Sequence, residues 1–213
     1  MDSIGGATLI TIEEARRHYE GADAVHDFDH VLRVLALAEH LAREEGADLE
    51  IVHAAALLHD VARGQGDRLL ADHAAAGAGM ARRLLAHCPA DRVEAVAHAV
   101  AAHRFRSGPA PQTVEARVLH DADKLDAIGA VGVARAFAFG GHEGQRLWAA
   151  VPPEYEESAA TRHEHTPVHE YYLKLVKIQD RLLTASARRL ARGRHEFMVA
   201  FFERLDQEVY GMA

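Results

Sequence analysis

Apolar residues recur at three-and-four spacing along nearly the whole chain, and that periodicity alone restricts it to an all-α fold. Between Asp29 and Gly46 the positions Val31, Val34, Leu35, Ala38 and Leu41 share one helical face, with His30 in the first turn. Alanine and leucine are frequent, and no run of alternating β-branched residues offers a strand. The expected architecture is a single-domain helical bundle over residues 1–213, with a core over about 24–140 and C-terminal helices over about 168–209.

Breakers and caps divide the pattern. Thr11 followed by Glu14 is a capping-box signature for a short helix that stops at Gly21. Asp48 can cap a second element whose Ile51, Val52, Ala55 and Leu58 face runs on to Asp60 and Val61 before Gly64 and Gly66, so His59 and Asp60 fall in a last helical turn. Further helices are expected over Leu70 to His87 and Pro89 to His103, followed by the loop RSGPAPQ. The string TVEARVLHDADKLDAIG then places Val114, Val118, Leu119, Ala122 and Leu125 in a buried stripe, with Asp123 near its middle. A helix from Val131 to Phe139 is expected to end at Gly140-Gly141. The stretch from His142 to Thr166 has no consistent period, which suits a mobile cover, and His163, His165 and His169 cluster in and after it. Helices over Val168 to Leu183 and Ala185 to Val209 close the chain, burying Tyr172, Leu175 and Ile178, then Leu190, Phe197, Phe201 and Leu205.

Charge limits the partners. A net charge of −8 opposes non-specific binding of duplex nucleic acid, which needs lysine and arginine in excess over a surface. A small phosphorylated ligand needs only a few local cations or a bound ion. No apolar run approaches the roughly 20 residues that span a bilayer, the first residues lack a signal-peptide pattern, and the lone Cys88 cannot form an internal disulfide and has no evident base partner. These features fit a cytoplasmic protein with no membrane partner, either alone or as a homodimer. The 16 histidines are scattered, so neither a tag nor a metal-storage tract explains them.

Four residues on three separate helices could fix a divalent ion and leave positions open for water: His30, the adjacent His59 and Asp60, and Asp123. Neighbours on a helix point about 100 degrees apart, so His59 and Asp60 share an ion only at a helix end. The strings HDFDHVLRV, LLHDVA and HDADKLDAIG, with HRFR, DADKLDAIGAVGVARAF and PVHEYYLKLVKIQDRL, resemble the HD superfamily of metal-dependent phosphohydrolases. They are most similar to a bacterial subfamily of small stand-alone HD hydrolases, some of which resemble nucleoside triphosphate pyrophosphohydrolases.

That resemblance implies an all-α fold of the HD-domain type and a metal set of His30, His59, Asp60 and Asp123, with Asp123 at the family's Ala-Asp-x-Leu position and Asp121 as its competitor. The mixed nitrogen and oxygen set suits manganese, with magnesium, cobalt, iron or nickel as substitutes. Catalytic roles are expected for Asp60, His103 and Lys124, and phosphate contacts for Arg33, Arg104, Arg106 and Lys174, although Arg33 and Lys124 could equally pair with Asp60 or Asp121. His73 with Gly77 and His103 are similar to the extra ligands of two-metal members, while hydrogen bonding explains His73, His98 and His103 as well. The chain departs from branches that carry an acidic pair three and four residues after His-Asp: here Arg63 and Gly64 stand there, and Arg63 reads as a solvated helix-end cation or a substrate contact. The expected reaction is hydrolysis of a nucleoside triphosphate to monophosphate and pyrophosphate. Dephosphorylation of a nucleoside monophosphate, or a non-catalytic nucleotide or metal sensor, are the alternatives.

Overall fold

The computed structural model describes residues 8–19, 28–63, 73–104, 108–152, 155 and 164–212. Among them are nine α-helices: α1 (Ile12–Arg16), α2 (Phe28–Glu45), α3 (Leu49–Leu58), α4 (His73–Leu84), α5 (Ala90–Ala102), α6 (Val114–Asp126), α7 (Gly129–His142), α8 (Pro167–Leu173) and α9 (Ala185–Val209). No strand occurs among the described residues, so the fold is all-α as the periodicity requires. No helix of the described residues is long and apolar enough to cross a membrane.

The chain forms two compact units, Met1–Asp123 with Leu183–Ala187, and Lys124–Leu182 with Arg188–Ala213. In the first, α3 packs against α1, α2 and α5, and α4 lies on α5. Helix α3 is the hub because it is apolar nearly all round: Ile51, Val52, Ala54, Ala55, Ala56, Leu57 and Leu58 are buried. Asp48 caps it by accepting from the Glu50 and Ile51 amides. Thr11 and Glu14 form the reciprocal capping box of α1, which ends at Arg16, well before Gly21. Helix α2 buries the expected stripe and stops before Gly46, whose φ of 70° is a left-handed conformation that favours glycine.

Gly77 has a packing role. A Cβ there would stand 3.3 Å from Val100 Cγ1 and 3.4 Å from the His59 carbonyl oxygen, so the glycine lets α4 approach α5 and the end of α3.

The second unit corrects three expectations. Helix α7 does not stop at Gly140-Gly141 but runs through both to His142, and Gly140 packs so close to Pro167 that a Cβ would meet the proline Cγ at 2.9 Å. The expected helix from Val168 to Leu183 breaks at Lys174, whose φ of −134° is not helical, into 3-10 turns over Leu175–Lys177 and Gln179–Arg181 that still bury Leu175, Ile178 and Leu182. In α9 the core face carries Ala187, Ala191, Met198 and Phe202, one residue on from Leu190, Phe197 and Phe201 and so about 100° round the helix. Phe197 is left 49% exposed and Tyr172 42%. The Tyr171 and Phe202 rings stack at 4.0 Å, which fixes that choice of face.

Candidate metal centre

Three helix termini bring the expected ligands together inside the first unit. His30 lies in the first turn of α2, His59 is the residue at which α3 ends, Asp60 follows in the turn, and Asp123 rides on α6. His30, His59 and Asp60 are all buried. The His59 Nδ1 lies 2.8 Å from the Ala56 carbonyl, an acceptor, so it carries the proton and Nε2 presents a lone pair. That Nε2 stands 3.3 Å from His30 Nε2 and 3.7 Å from Asp60 Oδ2. His30 Nε2 is also 3.9 Å from Asp60 Oδ2 and 3.6 Å from Asp123 Oδ1.

These distances fit a cation. Atoms that bind one ion at about 2.1 Å stand roughly 3 to 4 Å apart, and of these contacts only the 3.3 Å between His30 and His59 also lies within hydrogen-bond reach. One proton on His30 could serve only one of its neighbours, leaving a buried group that is richer in lone pairs than in donors. The residues present therefore fit a divalent ion.

Burial lowers the His59 pKa, keeping its imidazole neutral and able to ligate. Asp60 is held well below the usual carboxylate range: burial alone would raise it, but its electrostatic interactions with the surrounding His59, His103 and Arg63 side chains outweigh that effect. The phenol of Tyr19 donates to the Leu57 carbonyl at 2.9 Å and packs edge-on against Phe28, bracing the end of α3. Burial, and then the nearby Asp60 carboxylate, push its pKa well up.

Asp121 and Asp123 take different directions on α6. The Asp121 carboxylate is fully buried and accepts from the Leu183 and Thr184 amides at 3.0 and 2.7 Å and from the Thr184 hydroxyl at 2.7 Å, while His120 Nδ1 lies 2.9 Å away. It anchors the Leu183–Ala187 stretch, whereas Asp123 faces His30. Sequence reading missed Thr184 and His120, although Thr184 is a hydroxyl residue immediately before a helix, the position where a cap is expected.

His103 and His73 also reach Asp60. The former ends α5 with Nδ1 2.6 Å from the Val100 carbonyl and Nε2 3.7 Å from Asp60 Oδ1; the latter opens α4 with Nε2 3.6 Å from that oxygen. Burial pushes both down to about 4, and for His73 the Arg63 guanidinium adds to the effect. Arg63 is neither a merely solvated cation nor oriented away from the centre: its Nε donates to Asp60 Oδ1 at 3.1 Å and its Nη2 lies 3.0 Å from His73 Nε2.

The remaining cations are spread more widely. Arg33 is half-buried on α2, one turn beyond His30, and Arg104 is half-buried just past α5, near enough for its charge to bear on His73. Arg106, Gly64 and His163 lie outside the described residues. Lys124 and Lys174 belong to the second unit, where Lys174 pairs with Glu170. His98 accepts the Gln112 amide at 3.2 Å. In the proposed cover, residues 153–154 and 156–163 lie outside the described set, and the described part is pinned: Trp148 donates to Asp206 at 2.6 Å, Tyr155 meets His165 at 3.0 Å, and His169 forms the capping box of α8 with Thr166.

The comparisons agree with this architecture. Residues 27–128 match the HD domain family. The chain belongs to that family and is a metal-dependent hydrolase of the HD superfamily. Among its relatives, the Bacillus subtilis protein YpgQ is 35% identical over 193 residues, 88% of this chain and 86% of its own. The crystal structure of YpgQ in complex with ADP superposes with a TM-score of 0.73 at 30% identity, covering 95% of this chain and 100% of that one. An HD-superfamily hydrolase from Bacillus thuringiensis gives 0.68 at 29% identity, covering 93% and 94%.

Proposed function

We propose that the chain hydrolyses nucleoside triphosphates to monophosphate and pyrophosphate at a single divalent ion, manganese by preference, held by His30, His59, Asp60 and Asp123. The observation that carries this reading is the convergence of His30 Nε2, His59 Nε2 and Asp60 Oδ2 within 3.3 to 3.9 Å of one another, with Asp123 Oδ1 standing 3.6 Å from His30 Nε2. A nucleotide is supported by the relative crystallised with ADP. When bound, the ion supplies Lewis acidity toward a phosphoryl oxygen and lowers the pKa of water.

The chain's own residues supply the rest. Neutral His103, buried beside Asp60, is placed to accept a proton from attacking water, and its Nδ1 contact with Val100 keeps the accepting nitrogen inward. Arg33 and Arg104 offer permanently charged donors to a polyphosphate. In the reaction the water oxygen bonds to the α-phosphorus, the bond from that phosphorus to the bridging oxygen breaks, and pyrophosphate departs with the electron pair.

Incubation of each nucleoside triphosphate with manganese in oxygen-18 water tests this. Label in the monophosphate alone is the expected result. Orthophosphate released from monophosphates while triphosphates persist would replace the reading with that of a monophosphate phosphatase, and binding without turnover of any nucleotide would favour a sensor.

A further inference from the structure

The Asp60 carboxylate serves two groups of histidines, one with each oxygen. Oδ2 faces His30 and His59 at 3.9 and 3.7 Å. Oδ1 faces His73 and His103 at 3.6 and 3.7 Å. Both triads, His30 with His59 and Asp60, and Asp60 with His73 and His103, are buried, and within each the ligand atoms lie within 4.8 Å of one another. Two donor groups that share a carboxylate are the arrangement in which a pair of divalent ions is bridged.

In this chain a cation of its own already stands in the second group. Arg63 Nε donates to Asp60 Oδ1 at 3.1 Å, and Nη2 lies 3.0 Å from His73 Nε2. Those are two of the three atoms that a second ion would require. A guanidinium carries donors only, is charged at every pH the protein meets, and has the fork needed to satisfy a carboxylate oxygen and an imidazole lone pair together. The local sequence explains how it gets there. Arg63 follows Asp60 by three residues in the turn after α3, and the Arg63 amide bonds to the Asp60 carbonyl at 2.9 Å, which brings the two side chains to the same side.

We infer that Arg63 is a built-in counter-cation occupying the place of a second metal ion, so that the centre holds one ion and Asp60 acts as a terminal rather than a bridging ligand. The inference rests on the reading of His30, His59, Asp60 and Asp123 as a metal centre. It implies that a neutral residue at position 63 releases Asp60 Oδ1 and His73 Nε2 to join His103 as a second three-ligand site.

The experiment counts metal without reference to turnover. Wild type, Arg63→Ala, Arg63→Gln and the double variant Arg63→Ala/His73→Ala are stripped with chelator, dialysed against manganese chloride and gel-filtered, and then measured for bound manganese by mass spectrometry and for spin coupling by electron paramagnetic resonance. The expected result is one ion per chain with an uncoupled spectrum in wild type, a doubling to two exchange-coupled ions in Arg63→Ala and Arg63→Gln, and a return to one in the double variant. One uncoupled ion in both single variants, with wild-type circular dichroism, overturns the inference, as does a coupled pair in wild type. Arg63→Gln keeps the test decisive should the alanine variant not fold. Wild type that retains no manganese defeats the metal-centre reading itself, an outcome distinct from equal occupancy in wild type and variants.

Discussion

At the scale of single residues, two aspartates separated by one alanine do different work. Asp123→Ala removes a carboxylate facing His30 and is expected to weaken manganese binding by at least tenfold while circular dichroism and melting of the metal-free protein stay near wild type. Asp121→Ala leaves the buried amide and hydroxyl of Thr184, and the part-buried Leu183 amide, without their acceptor and is expected to cost about 2 to 4 kcal/mol with one ion still bound. Metal analysis and denaturant titration of the two variants check this, and matching behaviour in both assays would remove the distinction. In the proposed ligand set, His30, His59, Asp60 and Asp123 were legible because each stands in a motif. Arg63 and Thr184 were not, because a cation after a helix and a threonine before one are common, and only the fold reveals what faces them. For Asp60 and His59 the expectation is simpler: His59→Ala or Asp60→Ala abolishes manganese retention and turnover while preserving most helix content, read by mass spectrometry and circular dichroism.

At the scale of helices, periodicity located the elements well and read their faces less well. In α9 the sequence offers two apolar stripes side by side, Leu190-Phe197-Phe201 and Ala187-Ala191-Met198-Phe202, and the smaller residues win the core because they allow close approach while Phe202 fills the remaining space against Tyr171. Glycine pairs mislead for a related reason: they mark stops when the backbone needs a positive φ, yet Gly140 and Gly141 are both helical. Their neighbours predict opposite outcomes. Gly141→Ala meets nothing within 4 Å and should stabilise by about 0.5 to 1 kcal/mol through helix propensity, whereas Gly140→Ala drives a methyl into Pro167 and should destabilise by about 1 to 3 kcal/mol. Chemical denaturation of the pair decides it, with equal shifts counting against the packing account.

At the scale of the whole molecule, the buried histidines tie stability to pH. His103 is pushed from its ordinary 6.5 down to about 4, so between those values the unfolded chain binds a proton that the folded chain refuses, and stability falls as pH falls through that window. His73 shifts in the same direction. Below the ordinary 3.8 of a carboxylate, Asp60 adds a loss of the same sign, since it remains ionised when folded. Metal-free protein is therefore expected to lose about 3 kcal/mol on account of His103 alone from pH 7 to pH 4, roughly 5 to 10 °C in melting temperature; a flat profile by calorimetry would contradict it. The Asp121 anchor has a further consequence, which concerns time. Its partners Leu183 and Thr184 lie 62 and 63 residues later in the chain. A ribosome adding about 5 to 20 residues per second delivers them some 3 to 12 seconds after Asp121 itself. Until then a carboxylate destined for a fully buried place has none of those amides to bind, so the unit bearing the proposed metal centre is finished only by a stretch made after most of the other unit has been synthesised, and a nascent chain cut at residue 128, where the family match ends, would hold every proposed ligand but not the clasp.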